Sequence, residues 1–246
     1  MVDIERILND VADGTIDVSE GLRQIEGFTR VDDFARIDTL RRGRKTIPEV
    51  VLSEGKQAHH VVKIVEEFLA DESHVIVSRT DESTRAALET IDAAVTHYEA
   101  SDMMVFQTDT YSPPPTEGSI AVLSGGTGDI PVAEEAVVIA TEMGCDVETF
   151  YDVGVAGIHR LLGELDDLNA FDCVVVAAGR EGALPTVVAG LVDTPVIGLP
   201  VSIGYGYGSD GESALMSMLQ SCSVMSVVNI DAGFVAGAQA AQIART

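Results

Sequence analysis

A chain of 246 residues with 46% apolar and 22% charged side chains can bury one large core or two small ones, and it is neither disordered nor collagen-like. Forty acidic side chains against fifteen Lys and Arg give a formal charge of −25, a field that repels a phosphate backbone and makes nucleic acid a poor partner. No apolar run approaches the roughly 20 residues of a spanning helix, and the N-terminus lacks the basic-then-apolar layout of a secretion signal, so no membrane partner and a cytoplasmic location are expected.

The acidity has its own reading. Lys occurs only at positions 45, 56 and 63, and a protein so acidic and so poor in Lys resembles those of salt-loving microbes, whose surfaces must stay hydrated in concentrated salt. The three cysteines, Cys145, Cys173 and Cys222, cannot all pair and show no CxxC spacing, which removes a disulfide framework and a zinc cage.

Residues 1–118 hold 12 of the 15 cations but only 6 of the 23 glycines. That shift predicts two domains, and three consecutive prolines at 113–115 favour an extended linker, so the boundary is set at residues 1–115 and 116–246. In the first part, Ile4, Ile7, Leu8 and Val11, then Leu22, Ile25 and Phe28, follow helical spacing. A basic stretch follows from Arg36 to Lys45. A helix is predicted over Ala58–Leu69, a strand over His74–Ser78 and a helix over Glu82–Leu88, the pattern of a small α+β domain.

In the second part, short β-rich runs at 119–124, 146–151, 172–177, 195–199 and 224–229 alternate with helical segments at about 132–143, 155–165, 183–191 and 212–219. Alternation with near-continuous apolar strands predicts an α/β fold, a three-layer parallel sheet of flavodoxin-like order. In such sheets ligands sit beyond the carboxyl ends of the strands. Three glycine-rich loops fall there: Gly125-Gly126-Thr127-Gly128-Asp129, Gly179-Arg180-Glu181-Gly182, and the run after Pro200 that contains Ser202. Backbone approach and helix N-termini at one edge suit a phosphate-bearing small molecule.

Each candidate has an ordinary reading beside the functional one. Thr127 can donate to a phosphate; Asp129, two residues before Pro131, can cap a helix or meet substrate. Asp152 ends a strand. Arg160 is one of three cations after residue 118, and a chain that has shed positive charge keeps an Arg where an anion must be held. His159 can be a base, a donor or a satisfied core imidazole. Glu181 can cap a helix or act as general acid and base. Cys145 and Cys173 sit in apolar contexts, whereas Cys222, flanked by Ser221 and Ser223, suits a thiolate nucleophile or a small buried hydrophobe. Arg36, Arg41, Arg42, Arg44 and Lys45, followed by Lys56, form either a solvated face or a phosphate clamp.

Taken in order, Gly125-Gly-Thr-Gly-Asp-Ile-Pro-Val-Ala133, Tyr151-Asp-Val-Gly-Val-Ala-Gly-Ile-His-Arg160, Gly179-Arg-Glu-Gly-Ala-Leu-Pro185, Val201-Ser-Ile-Gly-Tyr-Gly206, Ser221-Cys222 and Asn229-Ile-Asp-Ala-Gly-Phe234 resemble the LarB family of pyridinium-3,5-biscarboxylic acid mononucleotide synthases, which serve nickel-pincer cofactor biosynthesis. Arg41-Arg-Gly-Arg44, Pro48-Glu-Val-Val51 and Gly55-Lys56 resemble its N-terminal segment, so the likeness spans about residues 36–240. The resemblance implies an AIR carboxylase-like catalytic domain and a carboxylase and hydrolase that takes nicotinic acid adenine dinucleotide and CO2, with Mg2+ whose ligands are unassigned. It implies a homo-oligomer, octamers being usual among the relatives.

On the same resemblance Cys222 is the nucleophile, Glu181 an acidic active-site residue, and Thr127, Asp129, His159 and Arg160 fall in the ligand-binding loops; Glu181, then His159, is the candidate base. From the residues themselves, Gly125, Gly126, Asp152 and Ser202 are added as substrate-binding, with Arg41, Arg44 and Lys56 as the clamp. Arg180 stands where the motif usually has Met, and Asp231-Ala-Gly-Phe-Val235 departs from Asp-Asn-Gly-Phe-Gly at Ala232 and Val235. Two alternatives are a purine-pathway carboxylase or mutase of the same fold, whose related loop carries a catalytic His where this chain has Ala183, and a non-catalytic nucleotide-binding regulator.

Overall fold

The computed structural model describes residues 4–38, 47–204 and 208–245; the expected clamp residues Arg41 and Arg44, with Arg42 and Lys45, lie outside them. The chain divides into two compact units, Met1–His97 with Met104–Tyr111, and Tyr98–Met103 with Ser112–Thr246. No helix among the described residues is long and apolar enough to cross a membrane.

The first unit opens with helices α1 (Ile4–Ala12) and α2 (Val18–Glu26). The carboxylate of Asp17 caps α2 by accepting from the amide of Glu20 at 2.7 Å. Gly27, in the left-handed region at φ 73°, ends α2. Phe28 therefore does not continue the helix, as its spacing predicted, but starts β1 (Phe28–Val31), which pairs antiparallel with β2 (Ala35–Asp38).

Next come β3 (Val50–Leu52), α3 (Ala58–Asp71), β4 (His74–Ser78), α4 (Glu82–Leu88), β5 (Ala94–Tyr98) and β6 (Met103–Gln107). The strands form a sheet of order β3-β4-β6-β5, parallel between β3 and β4 and antiparallel between β4 and β6. Val61, Val65 and Phe68 of α3 close over Val51, Val75, Val77, Met104 and Phe106, so one apolar stripe and one sheet face make the core.

The second unit contains β7 (Ser119–Ser124), α5 (Ile130–Glu142), β8 (Asp146–Phe150), α6 (Ile158–Leu162), α7 (Leu165–Leu168), β9 (Cys173–Ala178), α8 (Ala183–Ala189), β10 (Val196–Pro200), α9 (Glu212–Leu219), β11 (Ser226–Val227) and α10 (Gly233–Ala244). The sheet order is β8-β7-β9-β10-β11, every pairing parallel, which is the expected flavodoxin-like winding. Strands β9 and β10 are buried along their whole length, as a sheet covered on both faces requires. Leu184, Val188 and Met218 of α8 and α9 pack with Leu123, Val174 and Val176.

Helices α5 and α10 pack so closely that a Cβ on Gly237 would stand 2.4 Å from the carbonyl oxygen of Ala136. Two predicted elements are shorter than expected. The helix over 155–165 is a 3-10 turn (Val155–Gly157), α6 and the separate α7, while the last strand is reduced to two residues.

Candidate functional site

Loops leave the carboxyl ends of β7, β8, β9 and β10 along one edge of the second unit's sheet, and backbone contacts bind them together. A Cβ on Gly154, after β8, would lie 2.2 Å from the carbonyl oxygen of Gly125, after β7. A Cβ on Gly179, after β9, would lie 2.4 Å from the carbonyl oxygen of Ile203, after β10. Only glycine permits such approaches. The amide of Gly125 donates to the carbonyl of Ala177 at 2.9 Å, and that of Asp152 to the Ser124 hydroxyl at 3.1 Å.

Asp129 is the staple of this edge. Only 8% exposed, its carboxylate accepts from the amide of Gly126 at 2.9 Å and from that of Gly179 at 3.0 Å, so one side chain holds the loops after β7 and β9. Both oxygens are thus committed to backbone, which favours the structural of its two sequence readings. Burial raises its carboxyl above the ordinary 3.8, and the two amide bonds pull the other way.

The sign of the linkage follows. A carboxyl whose folded-state pKa is raised gives the fold stability as pH falls through that raised value towards the unfolded one, whereas Asp129→Asn has no such proton to take up. At neutral pH the variant loses about 1–3 kcal/mol, because an amide group must face backbone donors. The advantage of wild type over Asp129→Asn, read from urea midpoints, should widen as pH is lowered from about 7 to about 4; an advantage that shrinks would contradict the assignment.

Two more loops are held similarly. Asp152, at φ 57° in the left-handed region, pairs with the Arg160 guanidinium one helix start further on. Tyr151 beside it donates to Glu134 of α5. Burial raises the Tyr151 hydroxyl pKa first, and the Glu134 carboxylate adds to the shift. The amide of Ser202 donates to Asp231 at 2.8 Å, and that of Asp231 to the carbonyl of Pro200 at 2.9 Å.

The same edge carries Gly125, Gly126, an exposed Thr127, an exposed His159 and an exposed Glu181. Exposure removes the core-imidazole reading of His159. Ser124, Asp231, Gly154 and the Tyr151–Glu134 pair were not singled out from sequence. Asp231 lay within a quoted motif, but a carboxylate used to hold another loop's amide has no signature without the fold. Lys56 belongs to the first unit, on the loop after β3, where its ammonium donates to the carbonyl of Leu52 at 2.5 Å.

Cys222 is exposed, unlike Cys145 and Cys173, yet it stands apart from the other candidates within one chain. Helix α9 starts where a Cβ on Gly211 would lie 3.2 Å from Ser202, and it runs back along β10 until Met218 reaches Gly198. Its eight residues span about 12 Å. Cys222 follows the far end, and β11, parallel to β10, begins only at Ser226. The thiol therefore lies at the amino-terminal edge of the sheet, opposite the glycine loops. Close to it in sequence stand two exposed apolar side chains, Leu219 and, 93% exposed, Val224.

Residues 119–246 match the AIR carboxylase family, and residues 28–108 match a LarB/PurE-like N-terminal domain. An uncharacterized protein of Methanocaldococcus jannaschii is 39% identical over 218 residues, 85% of this chain and 83% of that protein. The N5-carboxyaminoimidazole ribonucleotide mutase of the same organism is 36% identical over 104 residues, 41% of this chain and 61% of the mutase. That of Thermotoga maritima is 27% identical over 105 residues, 40% of this chain and 59% of the mutase.

Proposed function

The chain belongs to the AIR carboxylase family, and we propose that it converts nicotinic acid adenine dinucleotide and CO2 into pyridinium-3,5-biscarboxylic acid mononucleotide and AMP, a step of nickel-pincer cofactor biosynthesis. The observation that carries this reading over a purine-pathway mutase is a swap of reactive groups. Ala183 opens α8 where the mutase loop carries its catalytic His, and an exposed thiol is present at Cys222. The LarB/PurE-like N-terminal domain supports the same choice.

The chemistry needs a nucleophile because a pyridinium ring is too electron-poor to attack CO2. Addition of the Cys222 thiolate at C4 moves an electron pair onto the ring nitrogen and leaves an enamine across C5, C6 and nitrogen. C5 then attacks CO2. Glu181, with His159 second, takes the C5 proton, and the C4–S bond breaks to restore the aromatic ring and the thiolate. Arg160, held by Asp152, neutralises phosphoanhydride charge while water cleaves it. Mg2+ is expected with such a substrate. Such an ion is ordinarily held by substrate phosphates with one or two carboxylates, and each step uses the chain's own groups.

Cys222 and Glu181 stand at opposite sheet edges of one chain, so they meet on one ring only if a second copy brings its Cys222 to this copy's glycine loops. The exposed Leu219 and Val224, which flank the thiol in sequence, supply apolar surface for that contact, consistent with a homo-oligomer. The test is product analysis. Purified protein incubated in concentrated salt with the dinucleotide, bicarbonate and Mg2+ should yield AMP and the dicarboxylated mononucleotide in equal amounts by mass spectrometry. A dinucleotide bound but recovered unchanged would leave a regulator, and turnover of a purine ribonucleotide instead would leave a mutase.

A further inference from the structure

The two larger sheets end in four outer strands, and three of them are blunted in ways that discourage edge pairing. Strand β3 has three residues and β11 two, while β8 carries exposed carboxylates at Asp146 and Glu148. Strand β5 differs. Its five residues, Ala94-Val-Thr-His-Tyr98, contain no Lys, Pro or carboxylate in a chain of formal charge −25. The first four are exposed, Val95 at 44%, and no strand among the described residues pairs with its outer edge. A β-rich edge kept free of charge is a template for main-chain pairing.

We propose that the partner at this edge is β5 of a second copy, paired antiparallel about a two-fold axis through Thr96. The strand complements itself in that register: Tyr98 faces Ala94, His97 faces Val95, and the two Thr96 side chains face each other. Large groups meet small ones. Within the strand itself the register apposes no charged side chains. This pairing joins two four-stranded sheets into one of eight. The contact does not depend on the assigned reaction.

The test combines cross-linking with mass. In a Cys222→Ser background, with Cys145 and Cys173 buried, Thr96→Cys sits on the axis within disulfide reach of its own copy. Mild oxidation should give a covalent dimer at least about 10-fold faster than Ala94→Cys, whose counterpart across the pair is position 98 rather than 94. Thr96→Lys, which puts two like charges together, should halve the solution mass found by light scattering, with an unchanged circular dichroism spectrum. A wild type that is monomeric, equal cross-linking at 94 and 96, or a mass indifferent to Thr96→Lys would each overturn the proposal. The last result would leave β5 to an extended segment of another protein. If product analysis fails while these results hold, the assigned reaction alone is wrong.

Discussion

On the proposed reaction, Cys222→Ala should abolish carboxylation of the dinucleotide, with turnover falling on the order of 10⁴-fold or more, the loss expected when a covalent nucleophile is removed. Binding should survive, because the glycine loops and Arg160 lie at the other edge of the sheet and keep their hydrogen bonds. Stability should change little, since the thiol is exposed and fills no core space. Rapid quench followed by mass spectrometry should find a thiol–pyridine adduct on wild type and none on the variant. Near-normal turnover by Cys222→Ala would defeat the mechanism whatever the products.

Gly179→Ala should carry a large structural effect. The added methyl would meet the carbonyl oxygen of Ile203 at 2.4 Å and a carboxylate oxygen of Asp129 at 3.1 Å, so backbone must move and the staple must open. Strain of this kind costs about 1–3 kcal/mol. Since the Asp129 bond to the Gly179 amide is part of the same contact, nucleotide affinity should fall with stability. Gly126→Ala is the control: its nearest neighbour would be Asp129 at 3.9 Å, and its φ of −150° suits any residue. Urea denaturation should separate the two by at least about 1 kcal/mol, and equal stability would mean that the loops after β9 and β10 do not touch in solution.

The parallel sheet was legible because β9 and β10 are buried on both faces and read as unbroken apolar runs between glycine-rich turns. Helix α10 was not, for a related reason. Five Ala and two Gly are spread around Gly233–Ala244, so no clear apolar stripe marks its period, and packing against α5 fixes it as a helix. Strand β5 escaped for the opposite reason, since none of its residues is deeply buried and no alternation of burial exists to be read.

Among site residues, the glycine loops were visible from their place after β-rich runs, whereas the roles of Asp129 and Asp231 depend on amides 50 and 29 residues away along the chain. The separation of Cys222 from Glu181 was equally hidden. Motif order gives residue identity, but the edge of the sheet follows from the direction of α9, which returns the chain to the amino-terminal side before β11 begins.

That separation makes complementation between copies the sharpest test of the shared site. Cys222→Ala and a chain carrying both Glu181→Gln and Arg160→Ala should each be inactive alone. Unfolded together and refolded at equal amounts, paired copies would place an intact thiol opposite intact glycine loops in about one quarter of the sites. Recovery of roughly that fraction of wild-type carboxylation is the result predicted here; a mixture as inactive as its components would contradict it and require the thiol to act within its own chain.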